Sequence, residues 1–170
     1  MRFIAPEKPI QFDDLLHGTI SESVAASVGD FIVRRSDGIV SYQLAVVVDD
    51  AVMEITQVVR GDDLLASTAR QLALFAALGY PPPQEYAHVP LMTDADGVRL
   101  AKRDAAAGLD VSRVAGYAPG QVLASLAASC GLHPAETSTT PTDLLAAFDP
   151  LRLNGFQTPI HLPNQVREIS

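Results

Sequence analysis

Cysteine is almost absent from this chain: Cys130 is the only one. A single thiol excludes an internal disulfide and any cysteine-rich zinc cluster, and it fits a reducing, cytoplasmic setting. Lysine is nearly as scarce, with Lys8 and Lys102 alone among 12 basic residues set against 20 acidic ones. The net charge of −8 excludes non-specific nucleic-acid binding by the whole surface and leaves only a local basic strip for an anionic partner. Long hydrophobic runs are missing too. Leu44–Val48 is too short and too interrupted to span a bilayer, so no membrane partner is expected. No apolar stretch follows Arg2 and Lys8, as a signal peptide would require. The four histidines, His17, His88, His133 and His161, are scattered without metal-ligand spacing, and no metal is assigned to them. Internal repeats and low-complexity segments are also lacking.

What remains is the composition of a folded protein. With 170 residues, 48% of them hydrophobic and 19% charged, the chain suits one domain or one and a half, with a real core. Residues 1–30 read as an irregular or short-stranded lead-in, broken by Pro6 and Pro9 and turned at Gly18 and Gly29. Phe31–Arg35 followed by Ser36-Asp37-Gly38 predicts a strand and a tight turn. The run Ser41–Val52 suits helix or strand equally by its periodicity. Ile55–Arg60 reads as a buried strand, Asp62–Leu78 as a helix closed by Gly79 and Pro81–Pro83, and Tyr86–Met92 as a second buried strand. Strand, helix and strand in that order make one crossover of a parallel α/β sheet. Beyond it the pattern is helical. Asp110 can cap a short turn through Val114, and Pro119 opens a helix with Val122, Leu123, Leu126 and Cys130 on its core face. Cys130 reads as a small core residue. A further short helix is expected around Asp143–Phe148, and the tail from Asp149 to Ser170 reads as loosely ordered.

Ligand chemistry in such sheets gathers at the carboxyl ends of the strands. Arg60-Gly61-Asp62-Asp63 lies at one such end, where Arg60 admits two readings. Its guanidinium either grips a ligand carboxylate with two parallel hydrogen bonds or pairs with Asp62 or Asp63 to fix the turn. Thr93–Asp104 follows the other strand and holds Arg99, Lys102 and Arg103 just after the turn-forming Asp94-Ala95-Asp96-Gly97. A mobile, glycine-led cationic loop on an acidic body suits a phosphate chain, and its plain alternative is a solvated surface charge run. Asp49-Asp50 reads as a helix-end or turn feature rather than a metal pair, since adjacent carboxylates on a regular element point apart. His88, inside a strand, reads as a satisfied core or rim residue.

Several of these stretches resemble one family. Asp30-Phe31-Ile32-Val33-Arg34-Arg35-Ser36-Asp37-Gly38, Ser41–Asp50, Ile55–Asp63, Ser67-Thr68-Ala69-Arg70-Gln71, Ala87-His88-Val89-Pro90-Leu91 and Arg99–Arg103 are similar, in order and spacing, to the class I glutamyl-tRNA synthetases. The resemblance runs from about Met1 to Asp149. It implies an α/β fold: the second half of a Rossmann-type parallel sheet over residues 1–105, a helical region over 106–150 and a loose tail over 151–170. It also implies that Arg60 holds the carboxylate of L-glutamate and that the Tyr42 hydroxyl orients the amino acid. Arg99-Leu100-Ala101-Lys102-Arg103 matches the family's KMSKS loop. Lys102 is then the catalytic cation that stabilises charge growing on the ATP phosphates, work that Mg2+ commonly shares.

Two departures stand out. The loop carries Arg99 for the usual first lysine and Ala101 for the usual serine. The half of the catalytic domain with the HIGH motif and the cysteine zinc site has no counterpart, and His17-Gly18 does not replace it. The chain is therefore expected to be the C-terminal half of such an enzyme, with a cut sheet that favours self-association. Leu64-Leu65, where glutamyl-tRNA synthetases usually carry a histidine at the first position, points to the glutamyl-Q branch of the family. So does Phe148-Asp149-Pro150 before Arg152-Leu153. That branch attaches glutamate to the queuosine base of an aspartate tRNA. The alternatives are a fragment of a true glutamyl-tRNA synthetase and a non-catalytic half-domain that keeps a partial glutamate and ATP site.

Overall fold

The computed structural model describes residues 1–93, 116–129, 132, 138–148 and 160–161, in two compact units, Met1–Val89 and Pro90–Ser170. The first unit opens with the short strand Arg2–Phe3 (β1), then Ile10–Asp14 (β2) and Gly18–Glu22 (β3), which form an antiparallel hairpin. Gly18 closes that hairpin at φ +71°, a backbone region that favours glycine. Of the two forms expected for the lead-in, irregular or short-stranded, it takes the second. β2 lies inside the main sheet, because its Asp14 end pairs in parallel with a strand that comes more than seventy residues later. Local patterns carry no trace of such a partner.

After a single helical turn, Val24–Ser27 (α1), Phe31–Ile32 (β4) pairs antiparallel with β1 and sets Phe31 against Phe3, ring centroids 5.3 Å apart. Its turn follows as expected, with Gly38 at φ +88° and a bridge between Arg34 and Val40. The ambiguous run becomes a helix, Tyr42–Val52 (α2), capped by the Ser41 hydroxyl accepting from the Leu44 N–H. The cap is what tips the balance toward helix, since it satisfies one of the orphan donors of the first turn.

Gln57–Gly61 (β5), the 3-10 turn Asp62–Leu64, Leu65–Leu78 (α3) and Glu85–Val89 (β6) form the expected crossover, with β5 and β6 parallel from Gln57–Glu85 to Gly61–Val89. Gly79 ends α3 at φ +73°. The sheet order is β3-β2-β6-β5. Only β6 carries the burial expected of both strands. β5 is the outer strand, with Val59 60% exposed, because one face and one edge of it lack neighbours among the described residues. The second strand also ends sooner than its apolar run: Pro90 has no N–H for the ladder, and Met92–Thr93 is a separate strand, β7. The core of this unit is Phe12, Val24, Phe31, Val33, Val47, Ala69, Leu74 and Phe75, at about 1.5–3 kcal/mol for each large apolar side chain buried.

In the second unit β7 pairs in parallel with Ile160–His161 (β8), so this part of the tail is a strand. Pro119–Ser129 (α4) and Pro141–Ala147 (α5) are the two helices described there. The core face of α4 differs from expectation. Ala124 and Ala127 are the buried residues, whereas Val122, Leu123 and Leu126 line an apolar cavity of about 710 Å³ shared with Thr139 and Pro141. Gly120 suits the close approach: a Cβ there would collide with Ser138 Oγ and lie 3.0 Å from Thr139 O, so a larger residue would force both to shift. Asp110–Val114 and Cys130 lie outside the described residues.

Candidate functional site

Arg60 is the penultimate residue of β5 and lies opposite His88 of β6 in the register. Paired residues of neighbouring strands point to the same face, and here that brings the guanidinium onto a buried imidazole. Arg60 Nε donates to His88 Nε2 at 2.9 Å, and Nη2 donates to Thr68 Oγ1 at 2.8 Å and to Leu64 O at 3.4 Å. Thr68 comes from α3, eight residues after Arg60, and is fully buried with His88. The alternative in which Asp62 or Asp63 holds Arg60 is not how the guanidinium is anchored. Those two residues start the 3-10 turn whose Leu64 carbonyl is one of its acceptors.

Asp14 completes the layer beneath. It ends β2, where its Oδ1 accepts from the backbone N–H groups of Leu16 and His17 at 3.0 and 3.1 Å. Its Oδ2 accepts from the His88 N–H at 3.1 Å and lies 2.6 Å from His88 Nδ1, with both side chains inaccessible to solvent. Burial pushes the Asp14 carboxyl up, but His88 and the three backbone donors outweigh it and hold it below the usual carboxylate range. His88 is pushed below its ordinary value, first by burial and further by Arg60 and His17, against the pull of Asp14.

Tyr42, the first residue of α2, is 57% exposed and lies near Arg60, as do Tyr86, Asp50 and Asp14; at neutral pH the phenols are uncharged, and the carboxylates supply the favourable field on the guanidinium. Burial is the larger effect and draws Arg60 down, yet arginine stays charged at any physiological pH. Asp50 sits in the last turn of α2, where its carbonyl accepts from Ile55 N–H at 2.9 Å, which is the helix-end place expected for the Asp49-Asp50 pair. Burial raises its carboxyl, and Arg60 draws it back. The outcome is a half-buried cation anchored along its Nε–Nη2 edge, with no partner for Nη1 among the described residues, close to a phenol and a carboxyl. Such a group can take a ligand carboxylate.

The fold therefore brings Tyr42 and Arg60 together, and His88 is a satisfied core residue as expected. Arg99, Leu100, Ala101, Lys102 and Arg103 lie outside the described residues. Sequence reasoning passed over Asp14 and Thr68 as parts of this site. An acidic residue closing a strand just before a turn was the one visible signal for Asp14. Thr68 lies in a stretch read only for its resemblance. Among the described residues no three of His, Cys, Asp or Glu cluster as metal ligands, and no helix is long and apolar enough to cross a membrane.

Comparison with known proteins agrees with this architecture. A protein of Symbiobacterium thermophilum described as glutamyl-Q tRNA(Asp) synthetase is 44% identical over 96% of this chain and 49% of its own length. One from Nocardia farcinica with the same description is 50% identical over 90% of this chain and 46% of its own length. The chain thus spans about half the length of these curated relatives. Among solved structures, a glutamate tRNA ligase from Elizabethkingia meningosepticum CCUG26117, in complex with its amino acid, superimposes with a TM-score of 0.78 at 25% identity, over 98% of this chain and 36% of that one. The catalytic-domain family of tRNA synthetases class I (E and Q) matches residues 1–139, and the chain belongs to that family.

Proposed function

We propose that this chain supplies the glutamate-holding side of an ATP-dependent synthetase that activates L-glutamate and passes it to tRNA, in the glutamyl-Q manner to the queuosine of an aspartate tRNA. The observation that carries the reading is the Arg60 guanidinium, anchored through Nε and Nη2 near Tyr42, with no partner for Nη1 among the described residues. The identity of 44–50% to relatives described as glutamyl-Q tRNA(Asp) synthetases supports the choice of branch. In the reaction, a glutamate carboxylate oxygen attacks the α-phosphorus of ATP, the bond to the bridging oxygen breaks, and pyrophosphate leaves. The product is a mixed anhydride, the glutamyl-adenylate, whose acyl group then moves to a hydroxyl of the tRNA as AMP leaves. Arg60 binds and orients glutamate, Tyr42 orients the amino acid, and the Arg99–Arg103 loop places Lys102 against the phosphates. ATP enters with Mg2+ as the counter-ion of its phosphates, and no residue of this chain is assigned to the metal.

The test is glutamate-dependent ATP–pyrophosphate exchange. It is run on the 170-residue chain and on the same chain joined to the part of the Symbiobacterium relative outside the match. The joined protein should exchange and the chain alone should not. In the joined protein Lys102→Ala should slow exchange about a hundredfold or more with glutamate affinity nearly intact, since its charge acts in the transition state. Arg60→Ala should raise the KM for glutamate, since it removes a ground-state contact. Equal effects of the two substitutions on KM would overturn these roles, and a joined protein that folds but never exchanges would leave the half-domain as non-catalytic.

A further inference from the structure

We infer that His88, locked by Asp14, is a positioning residue that sets the orientation in which Arg60 meets its ligand. The inference rests on the reading of Arg60 as the carboxylate-binding group. It begins from proton bookkeeping at one nitrogen. A guanidinium only donates, so His88 Nε2, 2.9 Å from Arg60 Nε, must be the lone-pair nitrogen. The ring proton is then on Nδ1 and is donated to Asp14 Oδ2 at 2.6 Å. Asp14 cannot rotate away, because three backbone N–H groups hold its carboxylate in place. The tautomer is therefore imposed from β2, across the sheet, onto a residue of β6 that serves as acceptor for a residue of β5.

Thr68 fixes the second point. Its Oγ1 accepts from Arg60 Nη2 at 2.8 Å and lies 3.2 Å from His88 Nε2, so the Nε–Nη2 edge of the guanidinium faces a buried pair of acceptors. With that edge held, the plane of the fork is set before any ligand arrives, and the ordering cost of a long side chain does not fall on binding. Protonating His88 would reverse the device: Nε2 would become a donor and a second cation would stand against Arg60. The charged or titratable groups facing the imidazole are Asp14 and His17 from β2 and its turn and Arg60 from β5, while α3 contributes only the neutral Thr68. Burial keeps the ring neutral.

The 170-residue chain itself tests this. Nitrogen-15 NMR of the histidine rings should show His88 as the neutral Nδ1–H tautomer. That form should persist below the pH at which an ordinary histidine charges, and the Arg60 Nε–H should be protected from solvent exchange. An Nε2–H tautomer, ordinary titration, or an unprotected Arg60 Nε–H would overturn the inference, whether or not the chain binds glutamate. Two variants separate positioning from mere stability. In His88→Gln the side-chain oxygen can take the place of Nε2 as acceptor. In His88→Asn the amide reaches only Asp14. Glutamate titrated into each should bind about tenfold more weakly to His88→Asn and within about threefold of the parent to His88→Gln, with Arg60 Nε–H protection following the same order. Equal losses in both variants, tracking their melting temperatures, would mean that His88 only supports the fold. If the ring and guanidinium signals behave as stated but no form of the chain binds glutamate, the positioning stands and the glutamate reading of Arg60 falls.

Discussion

Tyr86 shows how unevenly this site is satisfied from one residue to the next. It neighbours Asp14 in the register and packs edge-on against Phe12, ring centroids 6.0 Å apart. Its hydroxyl is buried and, among the described residues, without a hydrogen-bond partner. Burial pushes the phenol up to about 12, against the opposing field of Arg60. It is therefore a neutral hydroxyl with a desolvation cost left uncompensated, which is about 1–3 kcal/mol for such groups. Tyr86→Phe removes the cost and keeps the ring contact. Urea unfolding should show the variant equal to the parent or more stable by up to about 1 kcal/mol. A loss of stability of about 1 kcal/mol or more would show instead that the hydroxyl is hydrogen-bonded in the folded chain. His88, Thr68 and Asp14 form the opposite case, since their side-chain polar atoms are engaged, while Arg60 is held through Nε and Nη2 alone.

At the scale of elements, the helices are set by their ends. Ser41 caps α2 and so fixes the first turn, which carries Tyr42. Ser41→Ala should cost about 1 kcal/mol in urea unfolding. It should also weaken glutamate binding modestly by fraying the turn that carries the phenol. Gly120 in α4 is a steric rather than a conformational glycine. A methyl group there would meet Ser138 Oγ and Thr139 O. Gly120→Ala is therefore expected to destabilise the second unit by about 1–3 kcal/mol, even though alanine is the better helix former. Thermal unfolding that shows a gain would contradict the crowding. α5 needs no such constraint, because Thr140 and Asp143 form a reciprocal capping box at its start.

Over the whole molecule two consequences follow from charge and from the sheet edge. His88 and Asp14 are both held below their ordinary values in the folded state. An unfolded histidine titrates near about pH 6.5 and an unfolded aspartate near about pH 3.9. Below each of these the unfolded chain binds protons that the folded chain resists, so stability is complete above about pH 6.5 and declines as the pH falls. The urea midpoint should drop between about pH 7.5 and about pH 5, and His88→Gln should flatten that drop. A level midpoint across this range would refute the linkage. The sheet edge acts on association instead. β5 is an outer strand with Val59 60% exposed, and a strand edge of that kind is a template for pairing. Light scattering should show concentration-dependent self-association of the 170-residue chain that Val59→Lys reduces, and a sharp monomer at every concentration would count against it.

Read alone, the sequence determined what depends on near neighbours. The end of α3 follows from Gly79 and the prolines after it, and the strand–helix–strand crossover from element lengths. The importance of Arg60 follows from a cation at the end of an apolar strand. A short helix near Asp143 was legible too, but its start was not: α5 begins at Pro141 behind the Thr140 cap, two residues before the expected place. Only the tertiary structure decided that the hairpin of β2 and β3 joins the main sheet, that β5 is its outer strand, and that α4 buries its alanines. It also decided the partners of Arg60. Asp14 and His88 stand 74 residues apart, and nothing local to either reveals the contact. Strand register and sheet order are set by which apolar faces can be buried together, a property of the folded whole, and the proton on His88 follows from that register.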